Sequence, residues 1–584
     1  MLRHVFGLGI GLAMAMGANI SLANNTQQAA NYVQFQPMRT VVTEGVRDCR
    51  GGEGSNVPLI TWGADIVTLY ANGNNLTTEA GSIVADQGLS LKLKRQDVFT
   101  KQVEAYLRCD TPYLRGTMGM LGMATDITES DPRTELVVIY QHSWSAGGDA
   151  LVARSNIKKP EDLKGKTIAV QNYGPHVDYL FKILDDAGVK PNEVNIVWTT
   201  DLVGFVSDST PGVALLDDDT VDAAMVIIPD ALALTSGGTV GTGAEGSIEG
   251  GHILLSTKSA SRVIADVYAV RKDYFESNQA EVQKFVHALF QAEERLRDLF
   301  RNKSTRGDEY QAMISSAAKH LLDAEAAVND AEGLWADGET VGYVGNKRFF
   351  KEPTHPRSFK NIANEISKSY TSAGFITNSL NVADAAWDYG LLAAGVTNTS
   401  NTSKPKFDNT ALTTAVTSKA AGGALSDDTL FELTINFKPN QNDFPIELYI
   451  DQFNKVVDLA ATYGGAVITV EGHSDSLNYL KKQKDGAGDA ILSQIRQSAR
   501  NLSMARANSV RDTIMKMAED TRGYSMDSSQ FVTIGMGISS PAHGRMCGED
   551  PCPPQTKSEW LENMRVVFRI VNIEGESSEF ELLD

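Results

Sequence analysis

Basic residues are in short supply: 53 Lys plus Arg stand against 73 Asp plus Glu, a formal charge of -20. A surface of that sign repels the phosphate backbone and excludes nucleic acid as the expected partner. Proline is also scarce, with 18 in 584 residues, and hydrophobic residues (42%) outnumber charged ones (22%), so neither wholesale disorder nor a collagen repeat fits. No multi-span pattern of long apolar runs occurs. The sequence contains no H-E-x-x-H, G-x-S-x-G or P-loop pattern, and its nine histidines are scattered singly. No catalysis, cofactor or metal site is therefore expected, and His473 reads as a turn residue.

What is present begins with residues 1–23. They run from Arg3 and His4 through an apolar stretch to Ser21-Leu22-Ala23, the layout of a secretory signal peptide. The apolar stretch is interrupted by glycines and falls short of the roughly 20 residues a membrane span needs. Export admits disulfides, and the four cysteines fall into two separated groups, Cys49 with Cys109 and Cys547 with Cys552. Three pairings are possible in principle. Pairing within each group is the simplest, because Cys547-Gly-Glu-Asp-Pro-Cys552 already carries turn residues.

The length calls for more than one domain. Over 57–227 short apolar runs alternate with segments of helical period, an α/β signature that continues to about Leu299. Strands are expected at 167–170, 195–199 and 221–228. Between the first two, Gly174 and Pro175 start a helix whose apolar stripe is Val177, Leu180 and Leu184. Residues 396–427 shift to Thr, Ser, Asn, Ala and Gly, and read as a linker able to span roughly 30 Å, slack enough to leave the two domains uncoupled. A second α/β domain follows, with strands at 433–437, 467–471 and 566–571 and helices at 446–461 and 503–518.

Two glycine turns, Ser145-Ala-Gly-Gly-Asp149 and Tyr173-Gly-Pro-His176, offer backbone N–H groups at strand or helix ends, where a small anion is held with little help from side chains. These turns, with Asp162-Leu-Lys-Gly-Lys-Thr-Ile-Ala-Val170, Val221-Asp-Ala223 and Val267-Tyr-Ala-Val-Arg271, resemble the nitrate/sulfonate/taurine type of periplasmic substrate-binding protein over 58–300. The resemblance implies a two-lobed, type II fold that closes on a small anionic solute and delivers it to an ABC permease. By the same resemblance the cleft residues are Trp62, Asp65, Trp144, Gly147, Gly148, Tyr173, Gly174, His176 and Asp230. Residues 302–395 extend beyond the matched part.

The second domain holds Val470-Glu-Gly-His-Ser-Asp475, Asn501-Leu-Ser-Met-Ala-Arg506, Gly535-Met-Gly-Ile-Ser-Ser-Pro541 and Asn563-Met-Arg-Val566. Four motifs in this order resemble the OmpA-like C-terminal family, which implies binding of peptidoglycan through the diaminopimelate of its stem peptide, with Asp475 and Arg506 as the ligands. An ammonium and a carboxylate on one carbon ask for one fixed acceptor and one planar donor. Ser503 is placed to N-cap the helix, with Arg506 in its first turn. Asp475 and Arg506 stand 31 positions apart, about twice the family spacing, so an insertion lies within 476–499. It either bulges outward or folds across the pocket mouth.

The domain plan is thus a signal peptide at 1–23, a solute-binding domain at 24–395, a linker at 396–427 and a peptidoglycan-binding domain at 428–584. It implies a periplasmic receptor associated with the cell wall. The alternative is an envelope scaffold whose binding-protein domain has lost its solute.

Overall fold

In the computed structural model, which describes residues 32–49, 55–238, 240–244, 246–399, 406–422, 425, 428–437, 446–548 and 550–571, the apolar strands gather into three main sheets. The signal peptide reading falls outside the described residues. Among those described, no helix is long and apolar enough to cross a membrane.

The first sheet has the order β11-β4-β10-β3, from Gly338–Thr340, Leu136–Ser145, Ala265–Arg271 and Tyr113–Thr117, with β12 (Ala383–Asp384) beside β4. Next to it runs a parallel pair, β1 (Asn56–Leu59) with β2 (Lys92–Arg95). The second sheet has the order β7-β6-β8-β5-β9: Asn195–Thr199, Thr167–Gln171, Ala223–Ile227, Asp149–Ala153 and His252–Ser256. Every residue of β4, β5 and β10 is buried, including polar and charged ones such as Gln141, His142, Asp266 and Arg271. Each sheet carries its own helices, so the first domain has two α/β lobes. Residues 302–395, unmatched in sequence, supply β11 and β12 at the edge of the first lobe's sheet and the helices Val328–Asp337 and Phe359–Ala373.

The chain passes from the first lobe to the second at 146–148, between β4 and β5, and returns at 257–264, between β9 and β10. The two crossings are bonded together: the Thr257 hydroxyl accepts from the N–H groups of Gly147 and Asp149, each at 3.1 Å, and Ser145 N–H donates to Ile264 O. Gly147 has φ +148°, a conformation that side chains disfavour.

The third sheet belongs to the second domain and has the order β13-β16-β14-β15: Thr429–Asn436, Arg565–Val571, Val467–His473 and Phe531–Gly537. β15 was not among the expected strands; only its Gly535-Met-Gly537 end was singled out in the sequence. It pairs parallel to β14, and the helix Asp489–Arg522 makes the crossover between them. Ser503 does not cap that helix. It lies in its middle, with its hydroxyl donating to Arg500 O and accepting from Gly537 N–H, and the helix instead starts after Gly488. The helix rests directly on the sheet because a Cβ at Gly472 would lie 1.9 Å from Ser503 O.

Two further expectations change. Part of the linker folds: the helix Asn409–Gly422 buries Leu412 and Val416 against Val467, Val532, Ile534 and Val571. Leu425 joins the same core, with Phe407 and Ala420 packed beside it, so a few apolar residues suffice when the sheet supplies the rest, and the segment's mean composition was a poor guide. The domains are also not separated by slack chain. Thr462 O accepts from Arg262 N–H, Gly465 N–H donates to Ser259 O, and Tyr463 donates to Asp186 Oδ2 at 3.0 Å. The second domain thus leans on the 257–264 crossing. The disulfides Cys49–Cys109 and Cys547–Cys552 form as expected, each within one domain.

Candidate functional sites

At the lobe junction β4 delivers Ser143 and Ser145, the crossing delivers Gly147 and Gly148, and β5 delivers Asp149. The Asp149 carboxylate is shared between Ser145 Oγ at 2.6 Å and His176 Nε2 at 2.7 Å, and His176 is fully buried at the start of the helix His176–Asp186. The helix Ile228–Leu234 begins against the same turn, Ile228 N–H donating to Gly148 O, and brings Asp230 near His176. From the first lobe, Trp62 donates through Nε1 to Ser143 Oγ at 3.0 Å and lays its ring over Gly148, where a Cβ would come within 2.7 Å of it. Asp337, which ends the helix Val328–Asp337, takes the Ala146 N–H on its carbonyl.

Trp62, Gly147, Gly148, His176 and Asp230 are therefore brought together, joined by Asp149 and Asp337. Asp337 lies in the unmatched segment, where no motif pointed to it. Four of the expected cleft residues are placed elsewhere. Asp65 is wholly buried, 2.7 Å from Arg115, which also pairs with Asp266 at 2.9 Å. These two carboxylates hold the Arg115 guanidinium charged against the opposing effect of burial. Trp144, on the opposite face of β4 from Ser143, packs on Phe349. Tyr173 turns out through a left-handed backbone (φ +58°) to bond Gln36 O, and Gly174 closes against Gln171.

The junction is acidic. Burial pushes the Asp230 carboxyl up to about 6, and burial together with the Asp149 charge pushes Asp337 up to about 7. Three of the N–H groups of the first glycine turn are already used: those of Ala146, Gly147 and Asp149 go to Asp337 O and Thr257. Perturbed carboxyls gathered where two lobes meet are typical of binding sites.

The second site is a cavity of about 790 Å³ lined by both Asp475 and Arg506. Asp475 is held by Leu477 N–H at 2.9 Å. Arg506 Nε is buried without a hydrogen-bond partner; burial lowers the guanidinium's pKa and the Asp475 charge opposes that. His473 is the buried last residue of β14 rather than a turn residue; burial pushes its pKa down to about 3, and its Nδ1 lies 3.2 Å from Ser540 O. The insertion neither bulges away nor seals the mouth. It forms the helix Leu477–Lys484 and the first turns of the 489–522 helix, and these make one wall of the cavity. That wall has its own small core of Tyr479, Leu492 and Ile538. It is tied to the disulfide loop by Asp550, which accepts from Tyr479 Oη at 2.7 Å and Gln483 Nε2 at 2.8 Å and pairs with Arg496.

Two α/β lobes joined by paired crossings, with a candidate site at the junction, define a two-lobed α/β domain. Residues 85–297 match the family described as NMT1/THI5 like. The chain is 29% identical over 178 residues to the taurine-binding periplasmic protein of Escherichia coli, a stretch that is 30% of this chain and 50% of that protein. It thus spans about half the length of the curated relative it matches. Among solved structures, the periplasmic aliphatic sulphonate binding protein SsuA from Escherichia coli aligns with a TM-score of 0.37 and 14% identity over 56% of this chain and 90% of its own. The putative sulfonate-binding protein SsuA from Methylobacillus flagellatus aligns with a TM-score of 0.40 and 13% identity over 62% and 100%.

Proposed function

We propose that the protein is a periplasmic receptor that binds a small solute between its lobes, passes it to an ABC permease, and is held to peptidoglycan by its second domain. The observation that carries the first half is the junction itself, where the paired crossings meet Trp62 and a set of perturbed carboxyls. An anion alone would face Asp149, Asp230 and Asp337, so the charge favours a solute with a protonated amine, and a zwitterion such as the taurine of the relative's name meets that need. The second half rests on the 790 Å³ cavity that has Asp475 and Arg506 in one lining. Thermal shift of the full chain with aminosulfonates, plain sulfonates and simple amines tests the receptor reading: the aminosulfonates are expected to raise the melting temperature. No response to any of the three would favour the scaffold reading, which has support in the Trp62 ring seated on Gly148.

A pH prediction follows from Asp337. Its carboxyl keeps a proton in the folded state up to about pH 7, whereas an unfolded aspartate ionises near pH 4. Over that window the folded state binds more protons, so stability falls as pH rises. Asp337→Asn is expected to abolish this loss and to gain on the order of 1–2 kcal/mol at pH 8 with little change at pH 4. Urea unfolding of both proteins at the two pH values checks it, and parallel pH dependence would remove Asp337 as the source.

A further inference from the structure

The wall-binding reading leaves much of the second cavity unexplained. A volume of about 790 Å³ lies in the range that encloses a whole drug-sized ligand (roughly 300–1,000 Å³), more than the end of one amino-acid side chain occupies. The excess is bounded by two segments that contain neither Asp475 nor Arg506. One is the insertion, with Asn478 and Gln494; the other is the helix Lys557–Glu562, with Trp560. Trp560 is only partly buried, and no ring or cation stacks on it among the described residues.

We propose that this half of the cavity is a subsite for the N-acetyl sugar that bears the stem peptide. A pyranose ring has a C–H face that packs on an aromatic surface and an equator of hydroxyl and amide groups that asks for donors and acceptors. Trp560 supplies the surface, and the two carboxamides supply both hydrogen-bonding senses at a site open enough for a ligand to enter. The stem continues from the sugar to its diaminopimelate, so one ligand reaches from Trp560 to Asp475 and Arg506. The enlarged spacing between those two residues is then what adds the sugar side of the pocket. The Asp550 contacts to Tyr479, Gln483 and Arg496 position that side without touching the ligand.

This inference rests on the wall-binding reading, and the test separates the two. Calorimetry of the full chain would compare a diaminopimelate-containing stem tripeptide with the same tripeptide carrying N-acetylmuramic acid. The sugar is expected to tighten binding about tenfold. Trp560→Ala should bring the ratio of the two affinities to near one, and Trp560→Phe should restore part of it. Equal affinity of the wild type for both ligands, or an unchanged ratio in Trp560→Ala, would overturn the sugar subsite alone. Absence of binding by either ligand, or no weakening in Asp475→Ala, would overturn the wall-binding reading and the subsite with it. Should Trp560→Ala fail to fold, Asn478→Ala and Gln494→Ala, on the helical insertion, are expected to lower the same ratio.

Discussion

Asp475→Ala and Arg506→Ala are each expected to strip most of the sacculus binding from the full chain. The ligand's ammonium and carboxylate share one carbon, so removing either protein charge leaves one end of the zwitterion unpaired in a site that has already desolvated Arg506. The expected cost is about 1–3 kcal/mol, on the order of 5- to 150-fold in affinity. Co-sedimentation with purified peptidoglycan over a range of protein concentrations reads it directly. Equal pull-down of wild type and both variants would show that this pocket is not how the protein meets the wall. The neutral variant His473→Gln provides a useful contrast: it disturbs the end of β14, two residues before Asp475, without changing a charge, because His473 is uncharged at neutral pH.

A second large effect is expected from Arg115→Met. The substitution keeps much of the side chain's volume but leaves Asp65 and Asp266, both buried, with no cation between them. Breaking a buried pair in this way costs about 3–5 kcal/mol. The loss should depend on pH. Burial already raises both carboxyls with Arg115 in place, Asp65 to about 7; without the guanidinium they hold their protons to still higher pH in the folded state, so the variant is weakest at neutral pH and recovers part of its deficit toward pH 4. Urea unfolding at pH 7 and pH 4.5 measures both quantities. A deficit under about 1 kcal/mol at pH 7 would mean that water reaches the trio.

The elements legible in the sequence were those whose apolar pattern decides their fate locally. β6, β7 and β8 fall within a residue or two of the apolar runs, and Val177, Leu180 and Leu184 face the core as their spacing requires. The misses have physical causes. β15 carries three polar or small residues in seven, and its identity depends on pairing with β14, a contact of long sequence separation. Ser503 has the chemistry of a cap, but a serine whose hydroxyl serves a neighbouring strand looks the same in sequence as one that starts a helix. Of the sites, the Asp475 and Arg506 side chains do share one cavity, while the lobe junction was only half visible. Asp65 was consumed by an ion pair with an arginine 50 positions away, and Asp337 arrived from a segment without a recognisable motif.

The lean of the second domain on the 257–264 crossing has a mechanical consequence. A two-lobed domain closes by small rotations of the backbone where the chain crosses between lobes, and here one of the two bonded crossings is braced from outside. The fit leaves no slack, since a Cβ on Gly465 would lie 1.8 Å from Lys258 O. Any rotation of that crossing must carry Thr462 and Gly465 along or slide past them. If closure on the solute shifts the brace, the two binding events share a coupling free energy, and the factor by which solute changes wall affinity equals the factor by which wall changes solute affinity. The attachment would then act as a strut on the hinge rather than a leash, and a pull on the wall would reach the cleft as torque.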